Sequence, residues 1–116
     1  DTLFVYANQV GLGSIQAAKE QGVKFVGFSG DQNSVAPGTV VASVAFDFET
    51  FYTWTLDKFI KGELDGNTVH MAGIKEGIFR PVYTDQTGSD IQAKVQAGID
   101  KVTNGEIDLT TMFANP

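Results

Sequence analysis

Apolar residues fall along the chain in two rhythms. Short continuous runs at Leu3–Ala7, Val23–Phe28 and Val40–Phe46 are rich in β-branched and aromatic side chains, the composition of strands buried on both faces of a parallel sheet. Between and after them the spacing becomes helical. A helix is predicted from Ser14 to about Gln21, with Leu12, Ile15 and Ala18 on one face and Gly22 at its end. A second is predicted from Phe48 to about Lys61, capped by Asp47 and closed by Gly62, with Phe48, Tyr52, Leu56, Phe59 and Ile60 as its apolar stripe. That stripe, widened by Phe51 and Trp54, reads as core surface. Thr68–Ala72 is predicted as a fourth strand, and Ile78–Tyr83 as an edge strand or extended loop because Pro81 cannot donate to a ladder. Ser89-Asp90-Ile91-Gln92 has the form of a capping box, so a last helix is predicted from there to Asn104-Gly105, with Ile91, Val95, Ile99 and Val102 buried. Glu106–Phe113 is expected to add a short strand. The alternation indicates one α/β domain over residues 1–116, a three-layer, mainly parallel sheet with flanking helices.

Composition narrows the partners. A chain of 116 residues builds one core, and its formal charge of −6 disfavours nucleic acid or an anionic membrane. No run approaches the roughly 20 apolar residues of a membrane span, and the first residues lack the basic and apolar regions of a signal peptide. Neither observation fixes the compartment. The absence of cysteine removes disulfides and thiolate chemistry.

Candidate chemistry gathers after the first two strands. Gly11-Leu12-Gly13-Ser14 reads as a tight turn opening a helix, whose unpaired amides would welcome a negatively polarised atom. Asp31 follows the second strand, 18 positions after Gly13, in the loop Ser29-Gly30-Asp31-Gln32-Asn33. If the two strands are parallel neighbours joined by a right-handed crossover, turn and loop share one rim, where α/β sheets bind ligands. The pattern echoes a dinucleotide site incompletely, since Gln16 stands in the place of the third glycine, and it equally fits an ordinary βαβ turn with Asp31 bonding its own backbone. The lone His70 lacks a second ligand at metal spacing, and Ser14 lacks a G-x-S-x-G setting, so no metal, cofactor or catalytic residue is assigned. Glu63, Asp65, Glu106 and Asp108 read as solvated turn residues.

The succession Val5 to Asn33, V-Y-A-N-Q-V-G-L-G-S-I-Q-A-A-K-E-Q-G-V-K-F-V-G-F-S-G-D-Q-N, resembles the later part of the basic membrane protein family. These bacterial substrate-binding lipoproteins, also called PnrA-like, serve ABC transporters for purine nucleosides. The likeness continues through A-P-G-T-V-V-A-S-V (Ala36 to Val44), K-G-E-L-D-G (Lys61 to Gly66) and N-G-E-I-D-L (Asn104 to Leu109). It implies part of a type I periplasmic-binding-protein fold, two α/β lobes closing on a solute. By this resemblance the chain is the C-terminal portion of such a protein and not an enzyme. One cleft wall would hold Gln9, Gly11, Gly13, Ser29, Asp31 and Phe46. The implied partners are a small solute, such as a nucleoside, and an ABC permease, without nucleic acid. The implied location is extracytoplasmic, lipid-anchored to the cell membrane. Family members are far longer, so a chain of this extent would expose surface able to drive self-association. Two residues depart from the pattern: the family commonly has an acidic residue where Ser29 stands and Lys where Phe46 stands. A stand-alone interaction or regulatory domain that keeps the fold without transport is the alternative reading.

Overall fold

The computed structural model describes residues 1–7 and 10–109. In chain order the elements are β1 (Thr2–Phe4), α1 (Gly11–Glu20), β2 (Lys24–Ser29), β3 (Val40–Phe46), α2 (Phe48–Ile60), β4 (Phe79–Tyr83) and α3 (Ser89–Thr103). They divide into two compact units: Asp1–Phe46 with Phe79–Ser89, and Asp47–Ile78 with the chain from Asp90 onward.

The first unit holds the sheet, in the order β1-β2-β3-β4. β1, β2 and β3 run parallel, and β4 closes the edge antiparallel to β3. This is the α/β, mainly parallel arrangement expected from the apolar runs. One face is covered by α1, where Ile15 and Ala18 pack with Phe25, Ala36 and Val40 into a closed core, and Val5 and Val23 lean against it. The buried line of α1 is Gly11, Ile15 and Ala18, whereas Leu12, expected on that face, is exposed. β1 is shorter than predicted, and Leu3 and Phe4 are exposed rather than enclosed. β2 and β3 are joined without a helix: Gly30 to Thr39 forms the whole crossover, turning at Gly38, whose φ is +87°. β4 includes Pro81 opposite Val44, a position open to proline because β4 is an edge strand.

The second unit is built on α2, α3 and the segment between α2 and β4. Asp47 caps α2 as expected, its Oδ1 accepting from the Thr50 amide at 2.9 Å. Among the described residues all three helices stop in the same way, at a glycine with positive φ: Gly22, Gly62 and Gly105. The following amides of Val23, Glu63 and Glu106 reach back to the carbonyls of Ala18, Lys58 and Lys101 at 2.8–2.9 Å, a Schellman closure that only glycine enters without strain. Thr68–Ala72, predicted as a strand, is irregular, and Glu106–Leu109 forms no strand; the rest of the predicted tail strand lies outside the described residues. The α2 stripe that read as core is exposed at Tyr52, Leu56, Phe59 and Ile60, as are Ile91 and Val95 of α3.

Replacing Asp47 with Ala is expected to cost about 1 kcal/mol of stability in urea denaturation, through loss of the α2 cap, and replacing it with Asn much less.

Candidate functional site

Parallel pairing puts the C-terminal ends of β1, β2 and β3 on one rim. The register runs Phe4 opposite Val26, Phe28 opposite Val44, and Ser29 opposite Ala45. β4 starts at the same end, with Phe79 opposite Phe46 and Arg80 opposite Ala45. Because α1 returns from that rim to the start of β2, its N-terminus lies there as well. Of the six wall residues expected from the sequence, Gly11, Gly13, Ser29, Asp31 and Phe46 therefore belong to segments leaving or entering one edge of the sheet. Gln9 lies outside the described residues.

The glycines do not form a separate turn. Gly11 and Gly13 are already helical, following Val10, which occupies the N-cap position without a side-chain cap. A Cβ at Gly13 would meet nothing within 4 Å, and one at Gly11 would touch only the Cβ of Ala7 at 4.0 Å. Their effect is to thin the first helical turn, in which Gly11 is buried and the Gly13 amide donates to the Val10 carbonyl at 3.2 Å.

Ser29 ends β2 with φ +77°, the only described non-glycine residue at positive φ. Asp, Asn and Gly occupy this region more readily than Ser. The strand then gives way to a loop tied back onto the sheet. Asp31 Oδ1 accepts from the Asn33 amide at 2.9 Å, the self-bonded turn that was one of the two sequence readings of this carboxylate. Ser43, fully buried in β3, is the anchor of the loop. Its Oγ accepts from the Gln32 amide at 3.0 Å and donates to Asn33 Oδ1 at 2.9 Å, while Asn33 Nδ2 donates to the Val82 carbonyl at 3.3 Å. Gln32 and Asn33 thus hold the loop in place. Gly27 makes this possible, since a Cβ there would lie 2.6 Å from Gln32 Oε1 and 2.8 Å from Ser43 Oγ. Sequence reasoning passed over Gly27 and Ser43; the available signal was a glycine and a serine inside otherwise apolar strands.

Phe46 sits half-buried at the end of β3, its ring 5.0 Å from Phe79 in an edge-on contact. Further rings continue across the sheet: Phe79 lies 5.8 Å from Phe28, and Phe28 lies 4.4 Å from Tyr6 and 6.0 Å from Phe4. The rim therefore joins the thin first turn of α1 and a Ser-Gly-Asp loop to a row of aromatic rings.

Other chemistry considered from the sequence is placed elsewhere. His70 lies in an exposed loop rather than a strand, its Nε2 accepting from the Asp65 amide at 3.3 Å. The Asp65 carboxyl is held below its ordinary range by hydrogen bonds from the Thr68 hydroxyl and the Asn67 amide. Ser14 is helical, in the first turns of α1. Among the described residues no three His, Cys, Asp or Glu side chains group as metal ligands. A cavity of about 400 Å³ occupies the second unit, with Met71, Ile74, Lys75, Val102 and Ile107 in its walls, and none of the predicted site residues lines it.

The family model described as ABC transporter substrate-binding protein PnrA-like matches residues 1–111. Among solved structures, the chain is similar to the crystal structure of a transcriptional activator of the comK gene from Bacillus halodurans, with a TM-score of 0.72 and 16% identity. The similarity covers 89% of this chain and 36% of that one, so the chain spans little more than a third of that protein. No curated protein sequence matches.

Ser43→Ala is expected to destabilise the fold by about 1–3 kcal/mol, because the Gln32 amide and the Asn33 amide oxygen lose a buried partner. Gly27→Ala is expected to cost a similar amount, about 1–3 kcal/mol, through overpacking against Gln32 and Ser43. Chemical denaturation reads both, and exchange of the Gln32 amide should accelerate in each variant.

Proposed function

The chain belongs to the PnrA-like family of ABC transporter substrate-binding proteins, and from that premise we propose that it is the C-terminal portion of a two-lobed solute receptor of an ABC importer. The family match over residues 1–111 carries this reading. The geometry supports it by gathering the ends of three parallel strands on one rim. The solute is a nucleoside or a similar small polar molecule, held in a cleft between lobes and released unaltered. Gly11 and Gly13 at the start of α1, Ser29, Asp31 and the ring of Phe46 form one wall, with Gln9 assigned to it from the sequence. Hinge closure on the solute presents a closed form to the permease. Such a receptor works outside the cytoplasm, tethered by lipid to the cell membrane. Among the described residues no helix is long and apolar enough to cross a membrane.

Ser29 and Phe46 set the chemistry of that wall. Where the family commonly places a carboxylate and an ammonium group, this chain offers a hydroxyl and a ring, so hydroxyl anchoring is weaker and ring contact stronger. A second reading, a regulatory domain that keeps the fold without transport, draws support from one observation. The similar protein from Bacillus halodurans is described as a transcriptional activator.

Calorimetry on the full-length polypeptide against nucleosides and sugars separates the two readings: the receptor reading expects saturable binding, and silence across the panel overturns it. Ser29→Asp with Phe46→Lys is expected to raise nucleoside affinity roughly 10- to 100-fold, the equivalent of about one charge-assisted hydrogen bond. Asp31→Asn keeps the oxygen that bonds the Asn33 amide, so a loss of affinity with unchanged stability would mark the Asp31 charge as a solute contact.

A further inference from the structure

The antiparallel edge strand brings one more side chain to the rim. β4 pairs with β3 so that Arg80 stands opposite Ala45, and Ala45 in turn stands opposite Ser29 of β2. Positions 29, 45 and 80 thus form one row across the sheet at the rim. Cross-strand partners project from the same face, and two positions back along β3 Ser43 holds Gln32 and Asn33 on that face. Arg80 therefore shares its face with the loop that carries Asp31. Only Ala45 separates positions 29 and 80 in the row, and its side chain is a methyl group.

Arg80 is exposed, and among the described residues its guanidinium takes part in no ion pair or hydrogen bond. The Asp31 carboxylate is bonded instead to the Asn33 amide. The other described cationic side chains of the first unit lie at the opposite end of the sheet: Lys19 is in the last turn of α1, and Lys24 opens β2, donating to the Gly38 carbonyl at 2.7 Å and to Gln86 Oε1 at 3.2 Å. A charge on a terminal strand commonly guards it against pairing with another strand. Here Pro81, the next residue, already interrupts any such ladder, so Arg80 is not needed for that purpose.

We propose that Arg80 is a specificity-determining residue of the rim, receiving a carboxylate or phosphate group of the solute while Ser29 and Asp31 meet its hydroxyl groups. The inference rests on the reading of the chain as part of a solute receptor, and it names the solute class: a small hydroxylated molecule with an oxyanion at one end. Two inter-strand steps of about 4.8 Å place the backbones at 29 and 80 roughly 10 Å apart, a span suited to a sugar phosphate or a nucleoside monophosphate. A guanidinium presents its donors as a planar fork, matched to two oxygens of a carboxylate or phosphate. The chain as a whole, at a formal charge of −6, repels anions, so a preference for an anionic solute has to come from a local cation.

The test is calorimetry on the full-length protein with matched probes: adenosine against adenosine 5′-monophosphate, and glucose against glucose 6-phosphate and glucuronate. The anionic probe is expected to bind roughly 10-fold or more tightly than its neutral partner, the equivalent of about one charge-assisted hydrogen bond, and the gap should narrow as salt is raised. The size of the gap for glucose 6-phosphate against that for glucuronate distinguishes phosphate from carboxylate. Arg80→Gln should bring the anionic probe down to the affinity of its neutral partner. Arg80→Lys should recover part of the gap, because an ammonium group keeps the charge and loses the fork. Both variants should keep Tm within about 2 °C, as expected of an exposed side chain. Anionic probes that bind no better than neutral ones, or a gap that survives Arg80→Gln, overturn the proposal and leave the receptor reading standing. A gap lost together with a fall in Tm also overturns it, since Arg80 then supports the fold rather than the solute. Silence to every probe overturns both.

Discussion

Parallel pairing of β1, β2 and β3 is the constraint on which the rim depends. Strands that run the same way must be fed from the same end, so every exit loop is delivered to the opposite end. Here those exits are the start of α1, the Ser29–Asp31 loop and Phe46. The α1 crossover meets this demand with a helix that also covers the inner face. The second crossover has only Gly30 to Thr39 to work with, too few residues for a packed helix, and must lie flat against the strands it joins. The bonds from Ser43 to Gln32 and Asn33 let it do so without leaving buried polar groups unpaired. The rim loop and the structural crossover are therefore one segment, which explains why Gln32 and Asn33 face the sheet.

What the chain disclosed in advance follows from which interactions are local. Helix ends are local, and the glycines at 22, 62 and 105, like the Asp47 cap, could be read directly because the bonds that satisfy them reach no more than five residues. β3 was legible from its largely apolar run, and the shared rim from the strand-helix-strand order. Thr68–Ala72 misled because alternation of polar and apolar residues describes a strand only when a neighbouring strand is there to pair with it. The same holds for the α2 stripe: periodicity shows which side of a helix seeks cover, without showing that cover is present. Gly27 and Ser43 were missed for a related reason. Each interrupts an apolar strand, but what the interruption is for emerges only when the β2–β3 register sets them side by side.

The rim also shows a backbone conformation fixed independently of the side chain it displays. Position 29 holds φ +77°, a conformation that carries a steric cost for serine and a smaller one for aspartate or asparagine. If the loop were free to relax, a serine would let it return to extended geometry. It is not free, because the loop is fixed at Gln32 and Asn33 by Ser43, three positions further on. The conformation at 29 is thus imposed from the buried side of the sheet, independently of the side chain that 29 displays. At the end of β3 the pairing with Phe79 likewise holds position 46 in place whether a ring or an ammonium group projects from it. Support and display are separable here: the residues that fix the loop lie beneath it, and the side chains displayed at positions 29 and 46 take no part in those bonds. Divergence in this chain is accordingly expected to fall on Ser29 and Phe46 first and on Gly27 and Ser43 last, since the latter pair is buried beneath the loop that it holds.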